Sequence, residues 1–212
     1  MAFPALLDAC VLYPVGTRDL LLSVADQQVY VPYWTKDILD EMTRNVIKDG
    51  RASEATMARM CEQMAGAFPF ALIEGYEALI PAMTNHPKDR HVLAAAVRGA
   101  VGLIVTDNVK DFSPDACDPY DIEIQTADEF LSYALDQDPP AVLSAVWAMA
   151  EKRRHPPTSP PELLAALSGP LPVFTEEAAP LAELIWQTQW DQGRARSILT
   201  PAEVQEMLGQ QP

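Results

Sequence analysis

Five carboxylic acids occupy unexpected places in this chain. Asp8 interrupts the apolar run PALLDACVLY at residues 4–13, Glu41 sits in ILDEM, and Asp89 opens KDRHVLAAAV. Asp107 and Asp111 follow an apolar segment in LIVTDNVKDF. Carboxylates brought together repel, and burying them is unfavourable unless a cation lies between them. Fixed sets of carboxylate oxygens are what hard divalent ions such as Mg²⁺ or Mn²⁺ require, and the chemistry that follows is metal-assisted hydrolysis. Each acid also has an ordinary reading. Asp89, after His-Pro-Lys, suits a helix N-cap; Glu41 shares a helix with Asp37 and Asp40, as a solvated acidic face would; Asp107 and Asp111 suit turns before Phe112 and Pro114. Asp8 is the hardest to dismiss, because a charge at the end of a buried strand is unusual.

For these acids to meet, distant segments must end at one rim. Residues 4–13 read as a strand buried on both faces, 15–27 as a helix carrying Leu20, Leu21 and Val24, and Val29–Tyr33 as a second strand. Thr35 caps a helix bearing Ile38, Leu39, Met42, Val46 and Ile47 that ends at Gly50; Ser53 starts another through Ala67; Phe70–Ile73 reads as a short strand. Asp89 opens a helix with Val92, Leu93, Ala96 and Val97. Gly102 breaks it, Leu103–Thr106 and Ile122–Gln125 read as strands, and Thr126 caps a helix through Leu135. This alternation predicts an α/β domain over residues 1–135, a three-layer α/β/α sandwich with a central parallel sheet. In such sheets ligands gather outside the C-terminal ends of the strands. Asp8, Asp107 and Asp111 fall there, Asp89 starts a helix facing the same edge, and Glu41 lies on the helix after strand two.

After Asp136 the strand signal disappears. Residues 136–212 read as an all-helical C-terminal extension: a helix from Pro139, a Pro-rich linker HPPTSPP at 155–161, and helices over 162–168, 175–190 and 201–208. Trp147, Trp186 and Trp190 suit core packing, with an interaction surface as the alternative.

Composition narrows the function. The chain has 212 residues, 49% hydrophobic, with a net charge of −15. That is enough for a substantial core and excludes disorder throughout. The three cysteines, Cys10, Cys61 and Cys117, argue against a disulfide framework or zinc cluster and suit the cytoplasm. No run is long enough to span a membrane, and the N-terminal stretch lacks the pattern of a signal peptide. The acidity does not advertise a nucleic-acid surface, but it does suit cation sites or a basic partner. Motifs for nucleophile-elbow hydrolases, P-loops and dinucleotide folds are missing. The histidines His86, His91 and His155 read as surface or packing residues.

LLDACVLYP, ILDEM, KDRHVLAAAV and IVTDNVKDF resemble, in order and spacing, the four acidic blocks of the PIN domain, most closely in the VapC-type toxins of bacterial toxin–antitoxin pairs. The resemblance covers residues 1–135. It implies an Mg²⁺- or Mn²⁺-dependent endoribonuclease with Asp8, Glu41, Asp89 and Asp111 as metal ligands and catalytic acids. Thr106 and Asn108 would support the site, as would Asp107 at a variable position. Arg18, Arg44, Lys48, Arg51, Lys88, Arg90 and Lys110 are candidate RNA contacts. An RNA substrate, a basic cognate antitoxin and a homodimer are the implied partners. One departure stands out. The first block commonly reads DTN but here reads DAC, so the usual Thr and Asn contacts beside Asp8 are missing. That leaves a catalytically weak PIN-like RNA- or protein-binding module as the alternative.

Overall fold

The computed structural model describes residues 2–153, 158–191 and 199–209. Contacts divide the chain into two compact units, one of Met1–Val15 with Tyr30–Ala127, the other of Gly16–Val29 with Asp128–Pro212.

The first unit is built on a four-stranded sheet of β1 (Phe3–Leu7), β2 (Tyr30–Tyr33), β3 (Leu103–Val105) and β4 (Glu123–Gln125), in the order β2-β1-β3-β4. All three pairings are parallel. The expected α/β class with a central parallel sheet and a helical extension is what the chain adopts. β1 lies between two neighbours, so Ala5, Leu6 and Leu7 are fully buried, which is why this strand is apolar at successive positions. The chain leaves β1 for β2 on one side, and β3 lies on the other. The switch point therefore falls between the ends of β1 and β3, where a crevice opens in this class of sheet.

The apolar run at 4–13 is not one strand. Asp8 is extended (ψ 159°) and accepts a hydrogen bond from Ala9 N, which turns the chain into a short helix, α1 (Ala9–Leu12). An apolar run does not by itself distinguish a buried strand from a buried helical turn. Next come α2 (Val15–Asp26), α3 (Lys36–Lys48) and α4 (Glu54–Ala67). Thr35 and Ser53 cap α3 and α4 through their hydroxyls, as their positions predict. The strand expected at Phe70–Ile73 reduces to a single bridge between Trp34 and Leu72. Phe70 and Leu72 are exposed there. A 3₁₀ turn at Pro87–Asp89 leads into α5 (Arg90–Gly99), and another spans Val109–Asp111 before α6 (Pro114–Cys117).

The second unit contains α2 beyond Val15 and most of α7 (Ala127–Gln137), with α8 (Pro139–Lys152), α9 (Pro160–Leu167), α10 (Pro172–Asp191) and α11 (Pro201–Gly209). α8 is buried from Ala141 to Ala150 apart from Ala148, and Trp147 Nε1 donates to Gln189 Oε1 at 2.6 Å within that core. Trp147 therefore packs rather than presenting a surface. Asp128 caps α10 from a distance, accepting from Val173 N (3.1 Å) and Phe174 N (2.9 Å). Pro160 and Pro161 of the expected linker are the first residues of α9, behind a Ser159/Glu162 capping box. The rest of that linker, including His155, lies outside the described residues apart from Thr158 and Ser159.

Candidate metal centre and its relatives

The switch point places the end of β1 against the end of β3. Asp8 N continues the ladder to Val105 O at 3.0 Å, and Thr106 follows β3 directly. Thr106 Oγ1 donates to Asp8 Oδ2 at 2.7 Å across 98 positions of sequence, with both residues buried. Asn108 N donates to Thr106 Oγ1 at 3.1 Å, which fixes the hydroxyl. Cys10 fills the position where the first block departs from its common pattern. Its thiol donates to Asp8 Oδ2 at 3.3 Å and lies 3.3 Å from Thr106 Oγ1, while Asp107 N donates to its sulfur at 3.2 Å. Burial, then the neighbouring Asp8 carboxylate, push the Cys10 thiol up to about 12, so it stays protonated and can donate. The contacts read as missing from the sequence are thus partly supplied by sulfur.

Asp89 is as buried as Asp8, each 3% exposed, but its surroundings differ. Its side chain makes no capping hydrogen bond, so the ordinary reading of Asp89 as a helix cap is not realised. Among the described residues, no hydrogen-bond partner reaches Asp89 Oδ2. Burial holds the carboxyl above its ordinary range, and the charges of Asp8, Asp111 and Glu41 add to that, with Lys88 opposing. The charges of three other segments therefore act on Asp89, but among the described residues the ligand atoms lying within 4.8 Å of one another are those of His86, Asp89 and Asp111, and neither Asp8 nor Glu41 joins them. Glu41 is distinct from its helix neighbours: Asp37 accepts from Tyr76 and Asp40 pairs with Lys36, whereas Glu41 is four-fifths buried with Lys88 Nζ 3.6 Å away.

His86 joins this group. Its Nδ1 lies 3.6 Å from Asp89 Oδ2, and ligand atoms of His86, Asp89 and Asp111 lie within 4.8 Å of one another. Its position in NHPKD, three residues before Asp89, is the signal that sequence reading passed over. Asp107 is turned elsewhere, since its carboxylate accepts from Ala127 N at 3.3 Å. A buried carboxylate oxygen without a partner, facing further acids, is the donor set a hard divalent cation fits, because the ion satisfies the oxygen and removes the repulsion together.

The bases are distributed unevenly. Arg44 and Lys88 line an open cleft of about 610 Å³ beside Glu41. Lys48 and Lys88 line a second, of about 350 Å³, that reaches Cys10 and Asn108. Arg51 covers the Tyr13 ring at 4.6 Å. Lys110 is exposed next to Asp111, and Arg90 Nε donates to Asn85 O at 3.2 Å. Arg18 belongs to the second unit, where it is buried and bonded to Asp19.

Residues 127–180 match the family model described as the VapC50 C-terminal domain. Over 104 residues the chain is 45% identical to a Mycobacterium tuberculosis (strain ATCC 25618 / H37Rv) protein named "Putative ribonuclease VapC50". The matched stretch is 49% of this chain and 62% of that relative, so the chain spans less than two-thirds of the relative's length. No solved structure matches the chain. No helix among its described residues is long and apolar enough to cross a membrane.

Proposed function

We propose that the chain is a divalent-metal-dependent endoribonuclease, the toxin of a type II toxin–antitoxin pair. The observation that carries this reading is the buried oxygen of Asp89, which among the described residues has no hydrogen-bond partner, lies in a group with Asp111 and His86, and feels the charges of Asp8 and Glu41. The likeness to a protein named as a ribonuclease supports the choice of RNA as substrate.

Asp8, Glu41, Asp89 and Asp111 would hold Mg²⁺ or Mn²⁺. When bound, such an ion supplies Lewis acidity, lowering the pKa of water and offsetting charge at a phosphodiester. The chain's own residues do the positioning. Thr106 and Cys10 fix the Asp8 carboxylate, and the Asn108 amide fixes Thr106 in turn. Arg44 and Lys88 would contact an RNA backbone in the larger cleft, whose wall also carries Asp37, Asp40 and Glu41, and Lys48 would do so in the smaller one beside Asp49. Lys110 and Arg90 flank the acids in sequence. Asp107 serves the fold around α7 rather than the ion. A basic antitoxin segment is the matching protein partner for a chain of net charge −15, and we place the pair in the cytoplasm, with a homodimer as the assembled toxin.

The test is cleavage of RNA by purified protein with Mg²⁺ or Mn²⁺, with chelator, and by Asp8→Asn. Loss of cleavage with chelator and in the variant is expected. Metal-independent turnover, or near-normal turnover by Asp8→Asn, rejects the assignment. RNA binding without any cleavage would favour the binding-module alternative.

A further inference from the structure

We propose that His86 is a metal ligand, giving this carboxylate site a nitrogen donor that shifts its preference from Mg²⁺ toward first-row transition ions. The inference rests on the reading of the acids as a divalent-cation site, and deepens it.

The backbone builds His86 into the site. His86 N donates to Asp111 O at 3.0 Å, and Asp89 N donates to His86 O at 2.9 Å, so one short turn ties the main chain of His86 to that of two of the acids. Nδ1 lies 3.6 Å from Asp89 Oδ2, and the ligand atoms of His86, Asp89 and Asp111 lie within 4.8 Å of one another. Two ligands each about 2.1 Å from one ion sit roughly 3–4 Å apart, so closure of at most about 2 Å completes the group. The independent pointer is Asp89 Oδ2, on a side chain only 4% exposed and without a hydrogen-bond partner. Buried carboxylate oxygens in folded proteins are almost always satisfied. A direct hydrogen bond from His86 does not satisfy this one, because 3.6 Å is beyond hydrogen-bond length. A cation between Nδ1 and the two carboxylates does.

The choice of ion follows from donor chemistry. All-oxygen sets suit Mg²⁺ and Mn²⁺, whereas an imidazole lone pair adds affinity for transition ions and little for Mg²⁺. His86 is 53% exposed, so replacing it removes a donor without opening the core.

Mn²⁺ is the probe, titrated into the full chain and followed by electron paramagnetic resonance with Mg²⁺ as competitor. Bound Mn²⁺ should show imidazole nitrogen coupling that is lost in His86→Gln and kept in His91→Gln. Mn²⁺ affinity of His86→Gln should fall roughly tenfold or more, with a smaller change for Mg²⁺. His86→Asp, which restores an oxygen donor, should bind Mg²⁺ better than His86→Gln and lack the nitrogen coupling. Mn²⁺ bound without nitrogen coupling, or coupling that survives in His86→Gln, overturns the role of His86 and leaves the carboxylate site standing. Failure of the unaltered chain to bind Mn²⁺ overturns the cation site itself, and His86 with it.

Discussion

Asp8 and Asp89 are equally buried, yet one carboxylate is finished by the protein and the other is not. Asp8 accepts from Ala9 N at 2.7 Å, Thr106 Oγ1 at 2.7 Å and Cys10 Sγ at 3.3 Å. Asp89 Oδ2 accepts from nothing among the described residues, and the carboxyl is held high by burial and by three other acids. Asp8 is oriented before any ligand arrives. Asp89 is left in need of one. In the proposed metal site, Asp8 would be the fixed anchor and Asp89 the carboxylate that the ion completes.

The comparison can be broken first at the level of activity. Asp8→Asn and Asp89→Asn should each lower RNA cleavage about 1,000-fold or more, roughly 4 kcal/mol of barrier, measured as single-turnover rates with saturating Mg²⁺. A loss confined to Asp8 would show that Asp89 only packs. Next is metal-linked stability. A cation at about 100 times its Kd should raise the unfolding free energy by about 2.7 kcal/mol, and this gain should vanish in Asp89→Asn by chemical denaturation. An unchanged gain would move the ion away from Asp89.

In metal-free protein the two aspartates should respond with opposite signs. Asp8→Asn leaves the Thr106 and Cys10 donors facing an amide and should destabilise by about 1–3 kcal/mol. Asp89→Asn removes a disfavoured buried charge and should stabilise near neutral pH. The sign follows from linkage. The Asp89 pKa is higher folded than unfolded, so the folded chain binds more protons between those values and loses stability as pH rises through them. The gain from Asp89→Asn should therefore be absent below the ordinary carboxylate range and full above the raised value; a gain independent of pH would contradict the burial account. The smallest expected effect is Cys10→Ser, below about 1 kcal/mol, since a hydroxyl can also donate to Asp8. A larger loss would mean that sulfur packing, rather than its hydrogen bond, holds the site.

Much of this was legible from local pattern. The Thr35 and Ser53 caps, the apolar face of α3 and the apolar central strand follow from short-range rules, because capping and burial periodicity involve residues within a few positions of one another. The acids were legible as candidates for the same reason: each is out of place in its own segment. Two readings failed where local pattern is ambiguous. The run at 4–13 looks alike as strand or helix until Asp8 caps Ala9, and the segment at 70–73 has strand composition but only Trp34 to pair with.

The sequence by itself determined an acidic, cysteine-poor α/β chain with carboxylates at element ends and a proline-rich helical remainder. Only the tertiary structure decided that Cys10 would meet Thr106, that His86 would be tied to Asp111, and that Gly16–Val29 would cluster with the residues after Asp128. Strand order is the physical reason for the first. Side by side, the ends of β1 and β3 bring residues 96 positions apart within hydrogen-bond distance, and no periodicity along the chain records which strands become neighbours.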